Sequence, residues 1–167
     1  MAKTIILNNI QITRKLKRMA YEIVERNLSE KEIIIAGISG NGFKVAQRLQ
    51  KELDIVGKFK SSLIEIQLDK EAPTQTEIEL KHKDVIKLDK KVIILVDDVL
   101  NTGRTMAYSL KPFLSNQVKK IETAVLVNRS HTTFPIAPTY TGYELSTTLS
   151  DHVEVVLSTN KEVVYLV

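Results

Sequence analysis

Three short apolar runs constrain this chain most: Glu32–Ile38 (EIIIAGI), Val92–Val96 (VIILV) and the largely apolar Ile121–Val127 (IETAVLV). Each is the length of a strand, and none alternates enough to leave one face wet. Strands buried on both faces belong to parallel sheets covered by helices. The intervening sequence supplies those helices. Ile12, Leu16, Met19, Ala20, Ile23 and Val24 recur at helical spacing, closing near Asn27. Phe43, Ala46, Leu49 and Leu53 do the same after Gly42, and a third helix is expected from about Gly103 to Leu114, ended or bent by Pro112.

Other segments read differently. In Leu63–Leu68, Ile64, Ile66 and Leu68 alternate with Glu65 and Gln67, so one face meets water. Thr76–Leu80 alternates too and is its expected hairpin partner, across a polar loop, Asp69–Gln75, that contains Pro73. Val153–Leu157 and Glu162–Leu166 bracket a polar turn, Ser158–Lys161, as a closing hairpin. The expected fold is α/β: a doubly wound, mainly parallel sheet with flanking helices and a small antiparallel hairpin or hood, in one domain over residues 1–167. Ligands of such sheets sit beyond the carboxyl ends of the strands, where both glycine loops of this chain fall.

Composition narrows the classes. The 167 residues contain no cysteine, which excludes disulfides and thiolate metal sites and suits a reducing compartment. No apolar stretch reaches membrane-spanning length, and the run in MAKTIILNNI is too short for a secretory core, so a cytoplasmic protein is expected. Net charge is +4. Its one dense cluster is Arg14, Lys15, Lys17 and Arg18; charge runs on helices ordinarily just face water, and that is favoured here over a phosphate- or RNA-facing patch.

Two loops carry the chemistry. The first, Gly37-Ile38-Ser39-Gly40-Asn41-Gly42-Phe43-Lys44, approaches two nucleotide motifs and matches neither. Phe43 stands in the lysine slot of a P-loop, and Val45 replaces the third glycine of a dinucleotide fingerprint. By itself it offers backbone amides at a helix start, or merely a tight turn. The second, VIILVDDVLNTGRT at 92–105, says more. Thr102, Gly103 and Thr105 can aim N–H and hydroxyl groups at one anion where a helix begins. Asp97 and Asp98 suit vicinal hydroxyls or a divalent cation instead. A ribose 5-phosphate unit satisfies both halves. A receiver-type acid pair would follow an early strand, and a helix cap plus one buried aspartate would leave TGRT unexplained.

VIILVDDVLNTGRT resembles the phosphoribosyl pyrophosphate (PRPP) motif of type I phosphoribosyltransferases. AYEIVERN, IIIAGISGNGFKVAQRL and VNRSHTTFPIAPTYTGYELST resemble, in order and spacing, the bifunctional pyrimidine-operon attenuators with uracil phosphoribosyltransferase activity. The resemblance implies that fold, and a magnesium-dependent pentosyltransferase moving ribose 5-phosphate from PRPP to a nucleobase, uracil, with UMP and pyrophosphate as products. It implies Asp97 and Asp98 on the ribose hydroxyls or, through water, on magnesium. It sets Asn101, Thr102, Gly103, Arg104 and Thr105 around the 5-phosphate, with Ser39, Gly40, Asn41 and Gly42 as the pyrophosphate loop. Lys70 takes the place of a mobile-loop arginine, and Val127, Asn128 and Arg129 lie near the base. Implied partners are PRPP, the base, a second copy in a homodimer or larger homo-oligomer, and RNA.

The chain departs from that family in its cations. Ser39-Gly40-Asn41-Gly42 replaces Lys-Thr-Arg-Gly, Leu68-Asp69-Lys70 replaces Leu-Tyr-Arg, and Ser130-His131-Thr132 with Ala137 replaces Gly-His-Arg and a later arginine. Such losses weaken the salt-dependent share of RNA affinity. Two alternatives therefore stand beside the enzyme: an RNA-binding regulator of a pyrimidine operon, and a nucleotide sensor with weak or lost catalysis. His131 reads equally as a base or RNA contact and as a locally bonded loop residue. Tyr140 and Tyr143 are expected to pack rather than stack on bases.

Overall fold

The computed structural model describes residues 3–72, 74, 77–148 and 150–167. In chain order the elements are β1 (Thr4–Asn8), α1 (Asn9–Arg26), β2 (Glu32–Ile38), α2 (Asn41–Val56), β3 (Lys60–Gln67), β4 (Glu79–Lys81), β5 (Val92–Leu100), α3 (Arg104–Ser109), α4 (Lys111–Leu114), β6 (Lys120–Asn128), β7 (Tyr140–Glu144), β8 (Val153–Ser158) and β9 (Lys161–Leu166).

The three apolar runs become the central strands of a six-stranded sheet ordered β4-β3-β2-β5-β6-β7. Its pairs are parallel except β3 with β4. Burial on both faces explains why those runs barely alternate. Ile33, Ile35, Val92, Ile94 and Val96 pack with α1 and α2 on one side, while Ile34, Ile93, Leu95 and Val125 pack with Met106 and Phe113 on the other. A three-stranded antiparallel sheet, β1-β9-β8, shares the first of these cores through Leu7, Val155, Leu157 and Val164. The expected hood hairpin is β8 and β9; β1, unassigned from sequence, is its third strand.

Helix α1 opens on a reciprocal capping box. Asn8 accepts from the Gln11 backbone at 2.9 Å while the Gln11 side chain accepts from the Asn8 backbone at 2.8 Å. Its buried stripe is Ile12, Leu16, Met19, Ala20 and Ile23. The basic cluster lies on the opposite face as expected. Arg18 bonds Glu22 and the carbonyls of Thr141 and Gly142, and Lys15 lies 5.5 Å from the Tyr143 ring centre. Tyr140 is fully buried and donates to Glu122 Oε2 at 2.7 Å.

Three expectations change. Strand β5 does not stop at Val96 but runs through both acids to Leu100, because Asp97, Val99 and Leu100 keep pairing with β6. The single helix expected over Gly103–Leu114 is two short ones, since Pro112, within the first turn of α4, cannot donate to the preceding turn. The partner of β3 is Glu79–Lys81 rather than Thr76–Leu80. Pro73, Gln75 and Thr76, on which that loop and strand start were placed, lie outside the described residues, as does Leu149.

Candidate active site

The site forms at the carboxyl ends of β2 and β5, which pair as neighbours up to Gly37 and Val96. After β2 the chain turns at Gly40, whose φ of 88° belongs to the left-handed region that glycine enters without strain. Helix α2 then starts at Asn41. Gly42 lies flat against β5: a Cβ there would sit 2.5 Å from Asp97 Oδ1. Ser39 is held by its own N–H to Ile66 O at 2.8 Å. The Asn41 side chain points away from the turn and donates to Val155 O in β8 at 2.7 Å.

Asp97 is only 5% exposed, and Asp98 is half-buried beside it. Asp97 Oδ1 accepts from the Asp98 N–H at 2.9 Å and faces Lys70 Nζ at 3.4 Å. Burial, then the neighbouring Asp98 charge, push the Asp97 carboxyl up to about 8, with Lys70 opposing. Asp97 and Lys70, 27 residues apart in sequence, are in contact.

Past β5, Asn101–Gly103 bends into α3. Gly103 has φ 81°, and a Cβ there would meet Ile136 Cβ at 3.2 Å. The Thr102 hydroxyl accepts from Arg104 N at 3.3 Å, which aligns the loop amides in one turn. The Thr102 carbonyl accepts from the N–H groups of Thr133 and Phe134 at 2.9 and 3.1 Å, so the segment after β6 braces this loop from behind. Because α3 spans only 6 residues, the cradle depends on loop amides more than on a long helix dipole.

The three residues expected near the base separate by role. Val127 is a core side chain with no exposure, on a strand paired with Val99 on one side and Tyr143 on the other, so it offers a base no side-chain contact. Asn128 donates to Glu144 Oε1 at 3.2 Å and accepts from Ser130 N at 3.0 Å. Arg129 is buried and spends its guanidinium on Asn101, Thr147, Thr148 and Asp151. His131 Nε2 sits 2.8 Å from Thr147 O, a local bond. Thr147, Asp151 and the Val155 carbonyl were not anticipated as parts of the site's frame. The available signal was Arg129 itself, a cation directly following a buried strand.

Among the described residues no three His, Cys, Asp or Glu side chains cluster as a metal site. A larger cavity, about 940 Å³, runs along the N-terminal half of β3 between α2 and residues 81–91; of the two loops it touches only Phe43, where α2 begins, and none of Ser39–Gly42 or Asp97–Thr105. A shallower one of about 340 Å³ is lined by Ser39, Gln67, Leu68, Asp69, Glu77 and Glu79, next to the first loop.

Comparison with known proteins matches residues 3–159 to the model of the phosphoribosyl transferase domain. The chain belongs to the phosphoribosyltransferase family. It is 35% identical to the bifunctional protein PyrR of Brevibacillus brevis, over 93% of this chain and 90% of that one. It is 34% identical to the PyrR of Bacillus pumilus, over 93% and 91%. Among solved structures, the hypoxanthine phosphoribosyltransferase of Trypanosoma cruzi superposes with a TM-score of 0.71 at 14% identity, covering 90% of this chain and 84% of that one. A hypoxanthine-guanine phosphoribosyltransferase of Bacillus anthracis gives 0.71 at 16% identity, over 90% and 86%. These likenesses bear out the type I phosphoribosyltransferase fold, and the PyrR group resembles the chain over nearly its full length. A phosphoribosyltransferase is a pentosyltransferase, and PRPP as its donor follows from the family.

Proposed function

We propose that this phosphoribosyltransferase carries ribose 5-phosphate from PRPP to uracil, giving UMP and pyrophosphate, with magnesium. The observation that carries this reading is the juxtaposition at the end of β5: two carboxylates, then an amide-lined turn through Gly103. The turn, Asn101–Thr105, takes the 5-phosphate, and Asp97 and Asp98 take the ribose hydroxyls. Uracil stands near the backbone of Val127–Arg129.

The donor set fits magnesium. Two adjacent hard carboxylates, with no third His, Cys, Asp or Glu clustered on them among the described residues, match an ion that fills its shell with substrate oxygens and water. Asp97 and Asp98 would hold it directly or through water, and when bound it stabilises charge on the leaving pyrophosphate. The protein's own part is positioning. N1 of uracil attacks C1 of the ribose, the C1–O bond to pyrophosphate breaks, and the N1 proton passes to solvent. C1 gains oxocarbenium character meanwhile. The amides of Ser39–Gly42 meet the departing anion, and Lys70 adds the nearest cation to Asp97.

The reading includes a homodimer or larger homo-oligomer and a cytoplasmic location; among the described residues no helix is long and apolar enough to cross a membrane. RNA-dependent regulation and nucleotide sensing without turnover remain the competing readings. Incubation with PRPP, magnesium and each nucleobase, with pyrophosphate release as readout, decides among them. Release with uracil alone is the expected result. Tight PRPP or UMP binding without release with any base would replace the enzyme by a sensor. UMP-strengthened, salt-sensitive binding to a pyrimidine leader RNA, again without release, would replace it by a regulator.

A further inference from the structure

Both ligand loops are tied to one downstream stretch of chain. Arg129 is 4% exposed, and its Nη1 donates to Asn101 Oδ1 at 3.2 Å, where the phosphate loop begins. Nε and Nη2 donate to Thr147 Oγ1 at 3.1 and 3.0 Å, and Nη2 also reaches Thr148 O at 3.2 Å and Asp151 O at 2.6 Å. The Arg129 backbone N–H donates to Leu100 O at 3.0 Å. His131 fixes the same stretch through Thr147 O. A few residues on, Val155 O in β8 accepts from Asn41 Nδ2 at 2.7 Å, on the first residue of α2. The phosphate loop thus hangs from the start of the stretch and the first loop from its end.

A guanidinium is a rigid planar fork, so acceptors gathered around it are fixed relative to one another. Here those acceptors are an amide oxygen, a hydroxyl and two carbonyls, all from the frame of the site. We infer that Arg129 and Asn41 are positioning residues through which Thr147, Thr148, Asp151 and Val155 set the separation of the two anion-binding loops. This rests on the function proposed above. PRPP carries a phosphate at one end and a pyrophosphate at the other, so it must engage both loops at once. UMP carries only the 5-phosphate and engages one.

That difference supplies the test. Asn41→Leu, Arg129→Met and Arg129→Lys are made in the full chain, and dissociation constants for magnesium-PRPP and for UMP are measured by calorimetry. Asn41→Leu, which keeps size and removes the donor, weakens PRPP roughly tenfold and UMP less than about twofold, the signature of loops slightly misplaced. Arg129→Met weakens both, and Arg129→Lys restores part of the loss. Amide exchange on the ligand-free protein gives a readout that needs no substrate. Arg129→Met speeds exchange at 101–105 and Asn41→Leu at 39–42, with β2 and β5 still protected. If Arg129→Met does not fold, Thr147→Val removes the shared hydroxyl acceptor in its place. Equal losses of PRPP and UMP in Asn41→Leu, or unaltered loop exchange in these variants, would overturn the inference. Wild-type protein that binds neither ligand would end the functional reading instead, and loop exchange would then decide this one alone.

Discussion

Gly42 is where the fold and the site press hardest on each other. It lies in the first turn of α2, and a Cβ there would stand 2.5 Å from Asp97 Oδ1, 3.1 Å from Asp97 Cα and 3.3 Å from Ile38 Cβ. Ordinary contact starts at 3.4 Å, so Gly42→Ala makes the carboxylate retreat by about 0.9 Å or lifts α2 from β5. Overpacking of that kind costs about 1–3 kcal/mol. At about 2 kcal/mol, a chain of this size loses about 4–8 °C in Tm. A displacement near 1 Å at a reacting centre costs about a hundredfold in rate. Gly57→Ala is the control. Its Cβ would meet Leu53 O at 2.7 Å, a comparable clash at the far end of the same helix. Scanning calorimetry gives Tm and pyrophosphate release gives kcat/KM. Both variants lose stability, and only Gly42→Ala loses the greater part of kcat/KM. A Gly42→Ala enzyme with wild-type kcat/KM, or a Gly57→Ala enzyme equally impaired, would refute the contact between Gly42 and Asp97 as the reason for glycine.

Asp97 has its folded-state pKa raised, so the folded state holds a proton that the unfolded state releases as pH rises from 3.8 towards about 8. Stability is lost across that window, and Asp97→Asn gains on wild type in urea titrations at pH 8 but not at pH 4; equal differences at both would refute the burial. For the site itself, Asp97→Asn combined with Asp98→Asn raises the PRPP dissociation constant by an order of magnitude or more, and unchanged affinity removes the assignment. Tyr140→Phe deletes the hydrogen bond to Glu122 and costs about 1.5–3 kcal/mol. Burial pushes Glu122 up, but Lys120, Asn27 and Tyr140 outweigh it and hold the carboxyl low, so its stabilisation is present at neutral pH and lost in acid. The acid unfolding midpoint of Tyr140→Phe therefore moves to higher pH, which circular dichroism reads. Lys90 has φ 59° on an exposed turn, and Lys90→Gly relieves about 1 kcal/mol of strain, seen as a higher urea midpoint.

What the sequence disclosed was local. EIIIAGI and VIILV carry no alternation because both faces are buried, and that alone implied a helix-covered parallel sheet. Gly40 and Gly103 stood out in loops that lead into helices, and both prove to have positive φ. The parts that escaped depend on partners far along the chain. TIILN at β1 becomes a strand only because β9, about 160 residues later, offers its edge. Asp97 and Asp98 looked like loop residues because carboxylates are rare in buried strands, yet pairing with β6 carries β5 through them. Arg129 was set near the base by the family resemblance, and no local pattern shows that Thr147, Thr148 and Asp151 return to surround it.

The missing cations of the first loop bear on the proposed chemistry. With Ser39-Gly40-Asn41-Gly42 in place of a Lys-Thr-Arg-Gly loop, the first loop would offer the departing pyrophosphate backbone amides alone, and Asn41 is already committed to Val155. Lys70 is the cation at hand, and in the free protein it pairs with Asp97, its own side chain 41% exposed and that of Asp97 7%. One ammonium cannot remain on Asp97 Oδ1 and also follow the leaving group. Binding of PRPP in this reading exchanges the Lys70–Asp97 contact for two others: the ribose hydroxyls on Asp97, and pyrophosphate on Lys70. The exchange also makes loading of the site dependent on release of Lys70 from Asp97, so Lys70 is where binding and catalysis are most tightly joined.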